Sequence, residues 1–587
     1  MRKAIFMRLA AIATSIRNSA GWMRFGIAIA AGSLSVLAMA PFFLWPILFL
    51  TLPVLVWLLD GASPTRLSDA PDLKSRARAL VPAAKDGWAF GFGYFFFGLF
   101  WIGEAFLVEA EIFGILLPFA VTLMPAGLAL FWAAASATAK AFWTDGVGRV
   151  VILALALSVA EFARGHVFTG FPWNILGYAL TSPLSFMQSA SLIGVYGLTL
   201  VTVAALAAPI VGLAAGPSAP ISPEHGPSAG NPAQANGRRQ AWAGLAMAVI
   251  PLIAIYAYGV WRLAQPTPDM LPNVKIRVVQ PSTLQREKWL AEKQGEIFRT
   301  HLSLSKTNSS GERDDLEGIS HVVWPEAAMP FLPLSTPEAL TAIGQILPQG
   351  TYLISGALRV TQATGTTDIY RSTPGQRRAY NSMMVFGFGG GLIALYDKLH
   401  LVPFGEYLPL QSTLEAIGLQ SLTRVRGGFS TGMSPRPLMT IPGLPPVSPL
   451  ICYEAIFPGQ IVQGEERPGV LINVTNDGWF GNTTGPPQHF HQNRVRAVEE
   501  GVPLIRSANN GISGVIGPYG RVLGRLDLNE KGVFDSQLPK SLPPTVYAAW
   551  GNTIMFALWA LIVCTMLVVG HSHKFTSMFQ LFSTRRT

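Results

Sequence analysis

Apolar runs long enough to cross a lipid bilayer dominate this chain, and no other feature restricts its fold as strongly. The hydrocarbon core of a bilayer asks for roughly 17 to 25 consecutive apolar residues per helix. Without water there, backbone polar groups must be satisfied internally, which makes each such run a helix. Runs of this kind cover residues 24–40, 43–60, 87–108, 112–139, 149–164, 189–214, 240–263 and 545–570. They predict a polytopic α-helical membrane domain of about eight transmembrane helices, with a long gap before the last. Composition agrees: 13% of the 587 residues are charged and 50% are hydrophobic, against about 25% charged in an ordinary soluble domain.

The remaining charge speaks to topology. The formal net charge is +10, but Lys and Arg are scattered between apolar runs and form no basic helix, so nucleic acid is not the expected partner. Cations accumulate on the cytoplasmic side of membrane proteins. Arg66, Lys74, Arg76, Arg78 and Lys85 share one loop, Arg238 and Arg239 another, and Lys574, Arg585 and Arg586 the tail, whereas Glu109 and Glu111 fall in an opposite loop. The N-terminus carries Arg2, Lys3, Arg8, Arg17 and Arg24 before an apolar stretch that ends Ala38-Met39-Ala40. That mimics a cleavable signal peptide, but Pro41 and the second apolar run predict an uncleaved anchor. The expected organisation is a membrane domain over 1–264 with a Pro/Ser/Gly/Ala-rich cytoplasmic linker near 216–238, an extramembrane domain over 265–543, and a last helix with a cytoplasmic tail over 544–587. No internal repeat is visible, which weakens a transporter reading.

Segment 265–543 changes character. Short β-rich runs at 274–280, 321–326, 352–358, 381–387, 447–454, 470–477 and 504–509 alternate with helical patterns such as 291–306 and 337–347, the mark of an α/β domain. The glycine cluster at 387–391 lacks the strand–loop–helix setting of a phosphate loop and predicts a hairpin turn. Only two cysteines occur, Cys452 here and Cys564 in the last apolar run, so there is no disulfide framework.

Three segments of this domain end a predicted strand or hairpin with a reactive residue: Trp324-Pro325-Glu326, then Asp397-Lys398-Leu399-His400-Leu401-Val402-Pro403-Phe404-Gly405-Glu406-Tyr407, then Ile451-Cys452-Tyr453-Glu454. In this order they resemble the nitrilase (carbon-nitrogen hydrolase) superfamily. With Asn476-Asp477-Gly478-Trp479-Phe480 and the surrounding helices, they look specifically like the apolipoprotein N-acyltransferases. The resemblance implies a nitrilase-like α-β-β-α sandwich and a catalytic set of Cys452 (nucleophile), Glu326 (base) and Lys398 (thiolate and oxyanion stabilisation). The chemistry agrees. An ordinary thiol with a pKa near 8.5 is mostly protonated at neutral pH, so a nucleophilic cysteine needs a base and a neighbouring cation. Cys564, in its apolar helix, is read as inert.

The resemblance also implies supporting roles. Glu406 would hold the lysine, its plainer alternative being a turn or capping carboxylate. Tyr453, Glu454 and Glu499 match positions tied to activity or pocket shape, although Glu499 could equally pair with Arg494, Arg496 or Arg506. Trp289 and Trp479 are candidates for the acyl entrance and Trp173, in loop 169–174, for a floor beneath the site; the alternative for each is an interfacial anchor. His400, His489 and His491 fit no metal template, so neither metal nor cofactor is expected. Segment 410–433 is a candidate apolar lid with Gly427, Gly428 and Gly432 as hinges.

The implied acyl donor is a membrane phospholipid and the implied acceptor the diacylglyceryl-cysteine of an apolipoprotein, joined by a ping-pong thioester route at the bacterial inner membrane with the catalytic domain in the periplasm. The competing readings are a membrane-anchored amidase and an inactive lipid-binding scaffold. The linker and an insert at 361–378 depart from the family's usual pattern and leave substrate preference open.

Overall fold

The computed structural model describes residues 2–62, 72–214, 232–362, 377–416, 421–423 and 428–583. Every apolar run singled out above is helical: Gly21–Ser35, Leu48–Gly61, Leu73–Leu99, Leu117–Ala141, Gly148–Arg164, Ala190–Ala214 and Pro232–Leu263 precede the α/β part, and Thr553–Ser583 follows it. An amphipathic helix, Arg2–Asn18, leads them. By length and composition, 5 helical stretches among the described residues can cross a membrane, Gly21–Ala38, Leu73–Leu107, Ala110–Ala141, Ala190–Ala214 and Gly237–Leu263, while Trp45–Gly61 and Thr553–Val568 are apolar but shorter. The expected count of about eight is therefore not reached on those grounds. The remaining helix, Gly148–Arg164, is 17 residues long and carries Arg149, Glu161 and Arg164.

Those charges are paired inside the bundle, which is how ionisable groups persist among apolar helices. Arg164 binds Glu161, whose Oε1 also accepts from Trp132 Nε1 at 2.6 Å. Trp132 is fully buried among Phe90, Tyr94 and Phe95. Elsewhere in the bundle Asp60 pairs with Arg17 (2.9 Å) and Arg149 (3.1 Å), and Asp86 with Arg24 (2.7 Å). The expected linker lies largely outside the described residues; its last part is helical, because the Pro232–Leu263 helix starts earlier than the apolar run at 240. Most of the 361–378 insert, residues 363–376, is also outside them.

Among the described residues, eleven strands build the α/β part: β1 Met270–Gln280, β2 His321–Val323, β3 Tyr352–Gln362, β4 Arg377–Phe386, β5 Leu392–Asp397, β6 Val447–Ile451, β7 Val470–Thr475, β8 Leu504–Ala508, β9 Ser513–Ile516, β10 Val522–Leu526 and β11 Gly532–Pro539. They form a six-stranded sheet ordered β11-β1-β2-β3-β4-β5 and a five-stranded sheet ordered β10-β9-β8-β7-β6. Alternation along the strands explains why the sheets pack face to face. Ile276, Val278, Ile354, Met383 and Val385 from one sheet meet Val470, Ile472, Val474 and Ile505 from the other. Residues one step out of phase, Leu353, Met384 and Phe386, point outward onto helices Gln294–Ser305 and Pro337–Ile346, while Leu471 and Leu504 point outward onto helix Gly485–Glu500. The result is a helix–sheet–sheet–helix sandwich. Gly387–Gly391 is the β4–β5 hairpin turn, with Gly389 and Gly390 at positive φ.

Helix Gly485–Glu500 has two packed faces. Phe490 and Ala497 lie on the five-stranded sheet, while Val495 and Val498 join the apolar cluster of the membrane helices. Truncating the inter-sheet core with Ile472→Ala should cost about 2–5 kcal/mol, the range for removing a fully buried aliphatic side chain. Denaturant unfolding in detergent should show the loss, and an unchanged midpoint would contradict this packing.

Candidate active site

The reactive residues named from sequence stand at the ends of three strands. Beyond β2 the chain turns through Glu326 into Ala327, which has φ 45°. β3 accommodates this turn with a glycine: a Cβ on Gly356 would lie 2.5 Å from Glu326 Cα. Lys398 follows β5. Cys452 follows β6 with φ 51° and opens the short 3₁₀ turn Cys452–Ile456. A left-handed conformation at a non-glycine residue is costly and persists only where its surroundings hold it.

A carboxylate cluster organises the lysine. Lys398 Nζ lies 2.9 Å from Glu406 and 3.7 Å from Glu326. Asn381, on β4, bridges the two acids through one amide nitrogen, at 2.7 Å to Glu326 Oε1 and 2.9 Å to Glu406 Oε1. The Asn381 carbonyl accepts from the Lys398 N–H at 2.8 Å, and the Val402 N–H donates to Glu406 Oε2 at 2.8 Å. All four side chains are buried. Burial works against the Lys398 charge, but Glu406 and Glu326 outweigh it and push its pKa well up, so the ammonium is retained. Burial and the Glu326 charge push the Cys452 thiol up, opposed by Lys398. Cys452 therefore rests as a thiol near neutrality.

Glu454 braces the lysine loop against the Cys452 turn. Its Oε1 accepts from Tyr396 Oη (2.7 Å), Leu399 N (2.9 Å), His400 N (3.1 Å) and Arg436 Nη2 (3.0 Å), and its Oε2 from Ile451 N (2.8 Å). Behind Cys452, its carbonyl faces His489 Nε2 at 3.2 Å and Asn473 Nδ2 at 3.3 Å, and His489 Nδ1 lies 2.9 Å from Asp477, which Arg506 also binds.

The membrane helices supply the floor. Tyr453 Oη donates to the Gly170 carbonyl at 3.0 Å, and His400 Nε2 lies 2.9 Å from the Thr169 carbonyl. Arg164 holds the same loop through the carbonyls of Phe171 and Trp173. Trp173 is 1% exposed, donates to Gln488 at 2.7 Å and packs on Trp101, so it supports the floor from within instead of forming its open surface. Trp289 is exposed and Trp479 half-buried. Glu499 accepts from the Val195 N–H at 2.9 Å and pairs with Arg496 at 3.0 Å, the ion-pair alternative raised from sequence. His400, His489 and His491 each have separate protein partners; His491 meets Thr181 at 2.7 Å.

The family models divide the chain along the same lines. The carbon-nitrogen hydrolase model matches residues 275–542, and the apolipoprotein N-acyltransferase N-terminal domain model matches residues 31–208. The apolipoprotein N-acyltransferase of Rhodopseudomonas palustris is 43% identical over 95% of this chain and 98% of its own. That of Bradyrhizobium diazoefficiens is 45% identical over 95% and 97%, and that of Brucella suis 39% over 96% and 98%. The chain belongs to the apolipoprotein N-acyltransferase family. Two features of this member escaped the sequence reading. Asn381 shares the inward phase of Met383 and Val385, so a polar residue in an apolar register was the available signal. Lys288 lies beside Trp289 and is 1% exposed.

The lid expectation changes in this N-acyltransferase fold. Phe429, Ser430 and Gly432 donate backbone N–H groups to the carbonyls of Glu406, Ala379 and Lys398, each at 2.8 Å. A Cβ on Gly432 would lie 2.0 Å from the Asp397 carbonyl, so close approach, not hinging, explains that glycine. Gly427 is outside the described residues. Glu454→Gln removes the buried charge opposite Arg436 and should destabilise the protein by about 3–5 kcal/mol. It should also speed hydrogen exchange at the Leu399 and His400 amides; unchanged protection there would refute the brace.

Proposed function

We propose that this chain transfers a fatty acyl group from a membrane phospholipid to the N-terminal amine of the diacylglyceryl-cysteine of an apolipoprotein. The observation that carries the reading is a buried thiol on a left-handed turn, under the opposing fields of a carboxylate and a lysine ammonium, directly above the membrane helices. The names of the relatives agree in reaction and acceptor class.

Cys452 is the nucleophile, Glu326 the base and Lys398 the electrostatic stabiliser. Cys452 Sγ bonds to the ester carbonyl carbon while Glu326 takes the thiol proton. Lys398 stabilises the oxyanion, and collapse breaks the carbon–oxygen bond as Glu326 returns the proton to the departing lysophospholipid alkoxide. The acceptor amine then attacks the thioester carbon. Its proton passes through Glu326 to the leaving sulfur, leaving an amide and the free thiol. A water-poor site suits this ping-pong route, because an open thioester hydrolyses.

Glu406, with Asn381, holds the lysine; Glu454 and Tyr453 hold the nucleophile turn; Glu499 joins the catalytic domain to the bundle. Trp289 and Trp479 line the approach of the acyl chain, with Trp173 beneath the site. The reaction as written uses no metal or cofactor. Domain 265–543 faces the periplasm and the rest, 1–264 and 544–587, crosses the inner membrane about eight times with both termini in the cytoplasm, as the cationic loops favour.

Incubation of the full chain with phospholipid alone should add one acyl mass to the wild type, removable by hydroxylamine, and none to Cys452→Ala. Lys398→Met should slow adduct formation about 10²- to 10³-fold, the usual loss for an oxyanion donor. Intact-mass spectrometry reads both results, and an adduct on Cys452→Ala would overturn the thioester route. Ammonia release from a small amide without acyl transfer would favour the amidase.

A further inference from the structure

The proposed catalytic groups leave a charge unbalanced. Glu326 and Glu406 flank one ammonium, that of Lys398. With both carboxyls ionised, the buried trio carries a net negative charge. Such a charge, away from water, opposes the departure of the thiol proton by raising the cost of a thiolate beside it.

A second ammonium lies within reach. Lys288 sits in the segment between β1 and helix Gln294–Ser305, is 1% exposed, and donates from Nζ to the Glu326 main-chain carbonyl at 2.9 Å. The charged or titratable groups that act on it are Glu326 and Cys452. His301 also senses it, but burial, followed by smaller effects, brings that imidazole to about 4, so it adds no charge near neutrality. The carbonyl that Lys288 grips belongs to the turn leading into Ala327 at φ 45°, a conformation that needs external support.

We propose that Lys288 is a positioning residue for acyl transfer: its hydrogen bond to the Glu326 carbonyl fixes the turn that carries the base, and its ammonium balances the charge of the Glu326–Lys398–Glu406 cluster beside Cys452. The proposal rests on the thioester reading above. Burial, against the pull of Glu326 and Cys452, brings the Lys288 pKa down to about 8. The ammonium is thus present below about pH 8 and lost above it, and so is its contribution to acyl transfer.

The test follows Cys452 adduct formation from a dipalmitoyl phospholipid in detergent micelles by intact mass, using the full chain from about pH 6 to 9.5. The wild-type rate should fall as pH rises through about 8. Lys288→Met should react about tenfold to a hundredfold more slowly near neutrality, the equivalent of one to two pKa units of lost charge stabilisation, and should lack that alkaline fall. Lys288→Arg, which stays charged throughout, should retain most of the rate and carry it to higher pH. Thermal unfolding accompanies each variant, and if Lys288→Met does not fold, the pH profile of Lys288→Arg decides. A wild-type rate and profile in Lys288→Met, or an unshifted alkaline limb in Lys288→Arg, would overturn the role of Lys288 while leaving the thioester intact. An adduct on Cys452→Ala would overturn the underlying reading instead.

Discussion

Lys398 stands between two carboxylates with almost no access to water, and the architecture around it exists to hold that arrangement in place. A buried ion pair gains little over its desolvation cost unless its geometry is fixed and the remaining lone pairs and protons are satisfied. Here the fixing groups come from separate places in the chain: Asn381 from β4, the Val402 amide from the loop after β5, and Glu326 from the turn after β2. Parallel pairing of β1, β2 and β3 and antiparallel pairing of β3, β4 and β5 bring those turns to the same region. The cluster can assemble only if the sheet does.

Glu454 plays the corresponding part on the other sheet. It accepts from the end of β6 and the lysine loop at once, so the ends of β5 and β6 cannot move independently. From Tyr453 the connection passes to the Gly170 carbonyl, from that loop to Arg164, and from Arg164 to Glu161 and Trp132 inside the bundle. A charge pair among membrane helices thereby supports the floor below Cys452.

The parts of this arrangement legible in sequence were those with local periodicity or unusual reactive residues. Strand runs at 274–280, 352–358 and 470–477 announced β1, β3 and β7 because inward and outward residues alternate or are apolar throughout. The reactive residues stood out because Glu, Lys and Cys each ended such a run. Helix Gly485–Glu500 was harder to read, since Gln488, His489, His491, Arg496 and Glu499 mask its apolar faces. Those polar groups are buried: Gln488 meets Trp173 and His491 meets Thr181 across the junction, while His489 pairs with Asp477 inside the sandwich and Arg496 with Glu499 along the helix. Asn381 and Lys288 were missed for a related reason. A buried polar side chain takes its meaning from an acceptor far along the chain, and pattern alone gives no distance. Among the described residues, length and hydropathy qualify fewer helices than the apolar runs suggest, because helix Gly148–Arg164 carries internal charges and the stretches Trp45–Gly61 and Thr553–Val568 are shorter.

The two packed faces of helix Gly485–Glu500 make the boundary between the halves of this protein a poor place to cut. Freed from the bundle, the sandwich would present Val495 and Val498 to water together with Tyr453, Ile456 and Phe457, and it would leave Arg496 and Glu499 without Tyr178 and the Val195 amide. A soluble fragment of this domain would thus inherit a greasy, half-satisfied surface next to Cys452. Making one would require resurfacing that helix and the Cys452–Ile456 turn together, which is to redesign the wall of the candidate site.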